Sequence, residues 1–296
     1  MKIKKFLILI LILIFPAVAY FSIIEGYKYH QYLQKKKVYK TLSFEIAKNA
    51  SEFYGKVGIY IKDLKTGITV GYNEDELFPS ASLVKTPLMG VAFKAQKEGL
   101  LNFDDEIILR NKYKTGGSGI LKRCKSGKKF KIKEILELMI TESDNTATNI
   151  LTEILGFDYI NNTFKNDFGF SVTRFERKIM DLYLRKRGIE NYTTAKEMGL
   201  FLEKLYKGEI VSKQASKEMI EILSRQKQND RIPRFLPQNL SVAHKTGFLR
   251  KVCHDTGIVF TPNGDFIVCI LTSDFKSTRL AKNFIGEIAY RTYRCY

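Results

Sequence analysis

Residues 241–275 read SVAHKTGFLRKVCHDTGIVFTPNGDFIVCILTSDF, and this stretch decides the fold. Three strand-like segments, SVAHKTGF, HDTGIVFTP and DFIVCILTSDF, follow one another with short connections. The last two are separated by Asn263-Gly264, a pair that readily takes the positive φ angles of a tight hairpin turn. The segment predicts a three-strand antiparallel meander. A second strand region, VGIYIKDLKTGITVGYN at residues 57–73, alternates apolar residues on either side of a Lys65-Thr66-Gly67 turn and reads as a hairpin. Between the two, IKEILELMITES and NTATNILTEIL carry apolar residues at helical spacing. TTAKEMGLFLEKLYKG runs from a Thr cap to a Gly, SKQASKEMIEILSRQ is another capped helix, and TRLAKNFIGEIAYRTY closes the chain as a helix. The simplest α/β (α+β) architecture pairs both strand regions in one antiparallel sheet, from about 45–80 and 226–296. A helical lobe, about 81–225, lies beside it with a cleft between the two.

The chain has 296 residues, 45% of them hydrophobic, which is enough for a sizeable core. Its formal charge of +18 is uneven: residues 1–40 hold eight lysines and one acid. The rest is still basic and fits an anionic setting such as a membrane surface or wall polymer. With no zinc-finger spacing and no Gly-rich phosphate loop, nucleic acid is not expected as a partner. MKIKK followed by FLILILILIF, Pro16 and Ala17-Val18-Ala19 reads as a signal segment within residues 1–25. It is either cleaved after Ala19 or retained as an anchor, because the apolar stretch from Phe6 to Ile24 is just long enough to span a bilayer. Both readings put the remainder outside the cytoplasm. Residues 26–44 read as a stalk or the start of the first helix. The cysteines, Cys124, Cys253, Cys269 and Cys295, fit no metal spacing, and one disulfide among them is possible. No cofactor and no metal are expected, and the domain is expected to be a monomer.

PSASLVKTP, residues 79–87, places Ser82 three residues before Lys85. On a helix that spacing shares a face, so an amine held neutral could activate the hydroxyl. A helix is expected from Ser82 to about Glu98, with Pro87 interrupting it early at the cost of a backbone hydrogen bond. Ser143-Asp144-Asn145 falls between two helices of the lobe, and Lys245-Thr246-Gly247 on the first strand of the meander. Each triplet alone is weak. S-x-x-K, S-D-N and K-T-G in this order, on a helix start, a lobe loop and a strand, form a known signature.

In these motifs, and in the text ITESDNTATNILTEILG and DRIPRFLPQNLSVAHKTG around them, the chain resembles the penicillin-recognising serine hydrolases, most closely the class A β-lactamases, from about residue 45 onward. The resemblance implies a five-stranded antiparallel sheet with flanking helices. It also implies an acyl-enzyme formed at Ser82 with a β-lactam or a peptidoglycan stem peptide. Lys85 would take or relay the proton, and Ser143 would pass one to the departing nitrogen. Asn145 would meet the substrate amide, and Lys245 and Thr246, in the Lys245-Thr246-Gly247 triplet, its carboxylate. The N–H groups of Ser82 and Phe248 would form the oxyanion hole. Asp144 is expected to order its loop.

One position departs from the pattern. Class A enzymes carry a glutamate that activates the deacylating water. Aligned on Thr173-Arg174 and Thr193-Thr194, the loop TRFERKIMDLYLRKRGIENYTT has Ile179 there. Asp181, two residues on, is the candidate base, and could serve if the loop is reshaped. Alternatively it orders the loop by pairing with Arg174 or Arg177. The overall match favours β-lactamase-type hydrolysis of the ring amide; the alternative, should no base serve, is a penicillin-binding protein or D-Ala-D-Ala peptidase that releases its acyl group slowly.

Overall fold

The computed structural model describes the backbone of residues 2–296 and the side chains of residue 18 and residues 20–296. The segment read as a signal or anchor therefore lies largely outside the described side chains. Among the described residues no helix is long and apolar enough to cross a membrane.

A long helix α1 (Lys2–Glu52) leads into β1 (Lys56–Asp63) and β2 (Thr69–Tyr72). The two-residue strand β3 (Phe78–Pro79) precedes α2 (Lys85–Lys97), and a ribbon of β4 (Glu106–Ile108) and β5 (Lys129–Lys131) precedes α3 (Ile132–Thr141). The lobe continues through α4 (Asn145–Leu155), α5 (Phe157–Asn166), the short α6 (Leu182–Lys186), β6 (Tyr192–Thr193), α7 (Ala195–Tyr206) and α8 (Lys213–Ser224). The meander is β7 (Ser241–Leu249), β8 (Val252–Phe260) and β9 (Phe266–Ser273), followed by α9 (Thr278–Tyr293).

The main sheet is five-stranded and antiparallel, in the order β2-β1-β9-β8-β7. The hairpin thus joins the meander along β1 and β9, in register from Lys56 opposite Ser273 to Asp63 opposite Phe266. The run FIVCIL is apolar at every position because both faces of the sheet are covered. Phe266, Val268 and Ile270 face a core shared with α1 and α9, and Ile267, Cys269 and Leu271 face the lobe. The helix α1 passes through residue 45 without a break, and Tyr39, Leu42, Ile46 and Ala50 are buried on the outer core. At the first hairpin Asp63 accepts from the backbone N–H of Thr66 at 2.5 Å and Gly67 takes φ 74°, so Lys65-Thr66-Gly67 is a turn. All four cysteines are free thiols.

The helix expected from Ser82 begins instead at Lys85. Pro87 then falls in the first turn, where its missing N–H would have had no helical partner, so the expected loss of a hydrogen bond does not arise. Nor is α2 amphipathic: from Lys85 to Phe93 every residue is buried. The helix is the axle of the lobe, and this packing holds it in place in spite of Gly90 and Pro87.

Candidate active site

Ser82 lies in the turn that delivers the chain into α2. Ala81 takes φ 49°, a left-handed conformation that costs a residue with a Cβ roughly 1 kcal/mol or more. The surroundings hold it there. His254 Nε2 lies 2.9 Å from the carbonyl oxygen of Pro79, and its Nδ1 accepts from the N–H of Thr272 at 3.0 Å. Burial pushes this imidazole down to about 4, so it is neutral, with Nε2 the donor. Ser80 N–H donates to Asn191 O at 2.6 Å, and β3 pairs with β6. The approach to Ser82 is thereby tied both to the sheet and to the end of the loop 173–194. Gly247 on β7 completes the seat, since a Cβ there would sit 3.3 Å from Ala81 Cβ.

Lys85 is wholly buried. Its Nζ donates to Ser143 O at 2.7 Å and to Asn145 Oδ1 at 2.8 Å, and lies 3.3 Å from Ser143 Oγ. Among the described hydrogen bonds it reaches these groups and not Ser82. Burial, and then the charge of Lys245, hold its amine well below the ordinary lysine range. A neutral amine has two N–H donors and one lone pair. Two carbonyl-type oxygens take the donors, which leaves the lone pair for a hydroxyl. Lys245 donates from the far side to the same Ser143 Oγ, at 2.9 Å, and to Thr246 O at 3.0 Å. It too is fully buried, and desolvation brings it down to about 7.

The loop between α3 and α4 is built around Asp144. One carboxylate oxygen caps α4 through Ala147 N–H at 3.0 Å. The other accepts from the N–H groups of Ile120 and Leu121 at 2.6 and 2.8 Å. Gly119 (φ 108°) lets this segment approach, since a Cβ there would lie 2.2 Å from the Asp144 carboxyl carbon. Ser143 is left at φ 52° with its side chain between the two lysines. Asn145 Nδ2 donates to Gly116 O at 2.9 Å. Gly116 closes a further Lys114-Thr115-Gly116 triplet that works here as loop and not as strand.

Sequence reading missed Arg231. It is only 2% exposed, donates from Nε to Cys253 Sγ at 3.2 Å and has its guanidinium carbon 6.0 Å from the Phe248 ring centre. Gln228 Oε1 accepts from Thr246 Oγ1 at 3.1 Å. His244, adjacent to Lys245, is held by Asp255 at 2.9 Å and is a structural pair.

The loop 173–194 forms the opposite wall. Asn149 grips the backbone of Ile179 from both sides, accepting from its N–H at 2.9 Å and donating to its carbonyl at 2.9 Å. Arg177 is buried and paired with Glu190, which also binds Arg185 Nε at 3.1 Å. The carboxylate that orders the loop against Arg177 is thus Glu190. Asp181 caps α6, its Oδ1 accepting from Leu184 N–H at 3.0 Å. A pocket of about 290 Å³ is lined by Ser82, Asn145, Phe248, Ile179, Met180, Leu182, Arg177 and Arg185 among others, and by no Asp or Glu. Lys85, Ser143, Lys245 and Thr246 are buried and are not part of its lining. Among the described residues no cluster of three His, Cys, Asp or Glu side chains could hold a metal ion.

A serine delivered by a strained turn, two buried amines of depressed basicity and a second serine between them, set between a five-stranded sheet and a helical lobe, define an active-site serine hydrolase. Residues 41–296 match the family described as the beta-lactamase enzyme family, and the chain belongs to it. It is a class A β-lactamase-like serine hydrolase. Beta-lactamase VEB-1 of Pseudomonas aeruginosa is 26% identical over 266 residues, covering 84% of this chain and 87% of that protein. The crystal structure of a β-lactamase from Sphaerobacter thermophilus has a TM-score of 0.79 at 29% identity, covering 86% of this chain and 95% of the other. The penicillin-binding protein PBP-A has the same TM-score at 28% identity and the same coverage. A point mutant of PBP-A, with a leucine changed to glutamate, has been solved as an acyl-enzyme complex with penicillin G.

Proposed function

We propose that this chain acylates Ser82 with β-lactams and with D-alanyl-D-alanine peptides and then deacylates slowly, as a penicillin-binding protein on a class A frame acting outside the cytoplasm. The observation that carries the reading is the pocket wall. Ile179, Met180, Leu182, Arg177 and Arg185 line it, and no carboxylate does. Water beside the ester therefore lacks a general base, a group that typically contributes about 100- to 10,000-fold.

Acylation has its parts. Neutral Lys85 takes the Ser82 Oγ proton as the oxygen attacks the carbonyl carbon, with the N–H groups of Ser82 and Phe248 receiving the oxyanion. Collapse breaks the carbon–nitrogen bond, and the proton passes from Lys85 through Ser143 Oγ to the departing nitrogen. Lys245, Thr246 and Arg231 bind the substrate carboxylate. Gly247 allows the close approach of β7. Asn145 steadies Lys85, and its second Nδ2 hydrogen, without a partner among the described residues, would meet the acyl amide. For Asp181, the cap on α6 weighs against the general-base role.

The relatives named β-lactamase favour a second reading, efficient ring hydrolysis. Mixing the protein with a chromogenic β-lactam while following intact mass separates the two. A single burst with a long-lived adduct, absent in Ser82→Ala, is expected. Continuous turnover with little adduct would favour the second reading, and neither colour nor adduct would sink both.

A further inference from the structure

We propose that the end of the pocket remote from Lys245 is a carboxylate-recognition subsite, built from Arg177 and Arg185, so that the enzyme prefers acyl donors whose acyl chain bears a free carboxylate. The inference rests on the reading of Ser82 as the acylated residue, because it places the acyl chain past Asn145 and against the loop 173–194.

The charges on that wall do not balance. Arg177 and Arg185 both line the pocket, and one carboxylate, Glu190, serves them both. Nε of Arg177 has no hydrogen-bond partner among the described residues. Neighbouring groups do not supply the missing charge. Asp181 is turned to its helix cap, and Lys178 is a further cation, paired outward with Glu153 at 2.9 Å. Residues 173–190 hold six Lys and Arg against three Asp and Glu. Locking the loop requires only the buried Arg177–Glu190 pair. The Arg185 side chain pairs with the same Glu190 through Nε, keeps 33% of its surface exposed and lines the pocket. Guanidinium recognises carboxylate through paired N–H donors, and Ile179, Met180 and Leu182 offer apolar surface to the chain that carries it.

Benzylpenicillin and carbenicillin differ by one carboxylate on the acyl side chain and form a matched pair of probes. Rate constants for acylation of Ser82, followed by intact mass, should favour carbenicillin by about fivefold at low ionic strength, with the preference shrinking at 0.5 M salt. In Arg185→Gln the ratio of the two constants should fall toward one, and in Arg185→Lys, which keeps the charge and loses the paired donors, it should fall only part of the way. Competing D-alanyl-D-alanine peptides carrying Glu or Gln beside that dipeptide test whether a peptide supplies the same carboxylate, and a preference for Glu supports the subsite independently. Acylation by both penicillins with no preference in either pair, or a preference untouched in Arg185→Gln, would overturn the subsite while leaving the acyl-enzyme reading intact. No acylation by any probe would overturn both.

Discussion

Replacing Lys245 by Met keeps most of the side-chain volume and removes a charge from beside Lys85. Both amines contact Ser143 Oγ, at 2.9 and 3.3 Å. Their nitrogens are therefore no more than roughly 6 Å apart, where two unit charges at an effective dielectric of about 20 repel by about 3 kcal/mol, or about two pH units. Lys245 titrates at about 7 and is half charged near neutrality, so it exerts only part of that effect. The sign follows from the cause: the neighbouring charge lowers the Lys85 pKa, so its loss raises it. On the proposed role of Lys85 as proton acceptor, its neutral form should then require a higher pH. Stopped-flow acylation by a chromogenic β-lactam across pH 5.5–9.5 should show the acid limb moving upward by about one unit in Lys245→Met, whatever the loss in overall rate. A limb that stays in place, or moves downward, would refute the coupling of the two lysines through Ser143.

Three further outcomes are expected. Ile179→Glu puts a carboxylate on the pocket wall and should shorten the acyl-enzyme lifetime by at least about tenfold, read as decay of the adduct mass. Gly119→Ala drives a Cβ to 2.2 Å from the Asp144 carboxyl carbon at φ 108° and should destabilise the fold by about 3 kcal/mol in urea unfolding. Gly127→Ala (φ 90°, no atom within 4 Å) should cost only about 1 kcal/mol. Lys245 releases its proton near 7 when folded and near the ordinary lysine value when unfolded. The unfolded chain therefore binds more protons between those values, and stability should rise by about 1 kcal/mol per unit from pH 7 to 8.5 on account of this residue. Urea midpoints should show that slope reduced in Lys245→Met.

The sheet was readable because strand signals are local: Asn263-Gly264 marks a turn, and apolar runs mark strands covered on both faces. The meeting of the three motifs was readable from their order and placement, before a helix, in an interhelical loop and on a strand, and Lys85, Ser143, Asn145 and Lys245 do come into hydrogen-bond contact. The start of α2 was misread because spacing alone does not reveal that Ala81 takes a left-handed φ and shifts the first helical residue from Ser82 to Lys85. Arg231 and His254 gave no signal, because their roles come from partners far along the chain, Cys253 for the one and Pro79 and Thr272 for the other. The Arg177–Glu190 pair spans thirteen residues that include α6, and spacing along the chain pointed to the nearer Asp181 as the partner instead.

The helix α1 is a screw whose C-terminal part is fixed to the domain. Lys35 sits 3.3 Å from the centre of the Tyr296 ring and donates to Cys295 O, and Tyr39, Leu42 and Ile46 are sunk in the outer core. Tyr20, Phe21, Ile23, Tyr27 and Tyr29, on the same unbroken helix, are exposed. Between residues 18 and 35 the rise of 1.5 Å per residue gives a strut of about 25 Å. On such a strut height and heading cannot be set separately: each inserted residue lifts the cleft by about 1.5 Å and swings it by about 100°. The length of this segment therefore selects the direction in which the active site faces as well as its distance from whatever α1 meets at its other end.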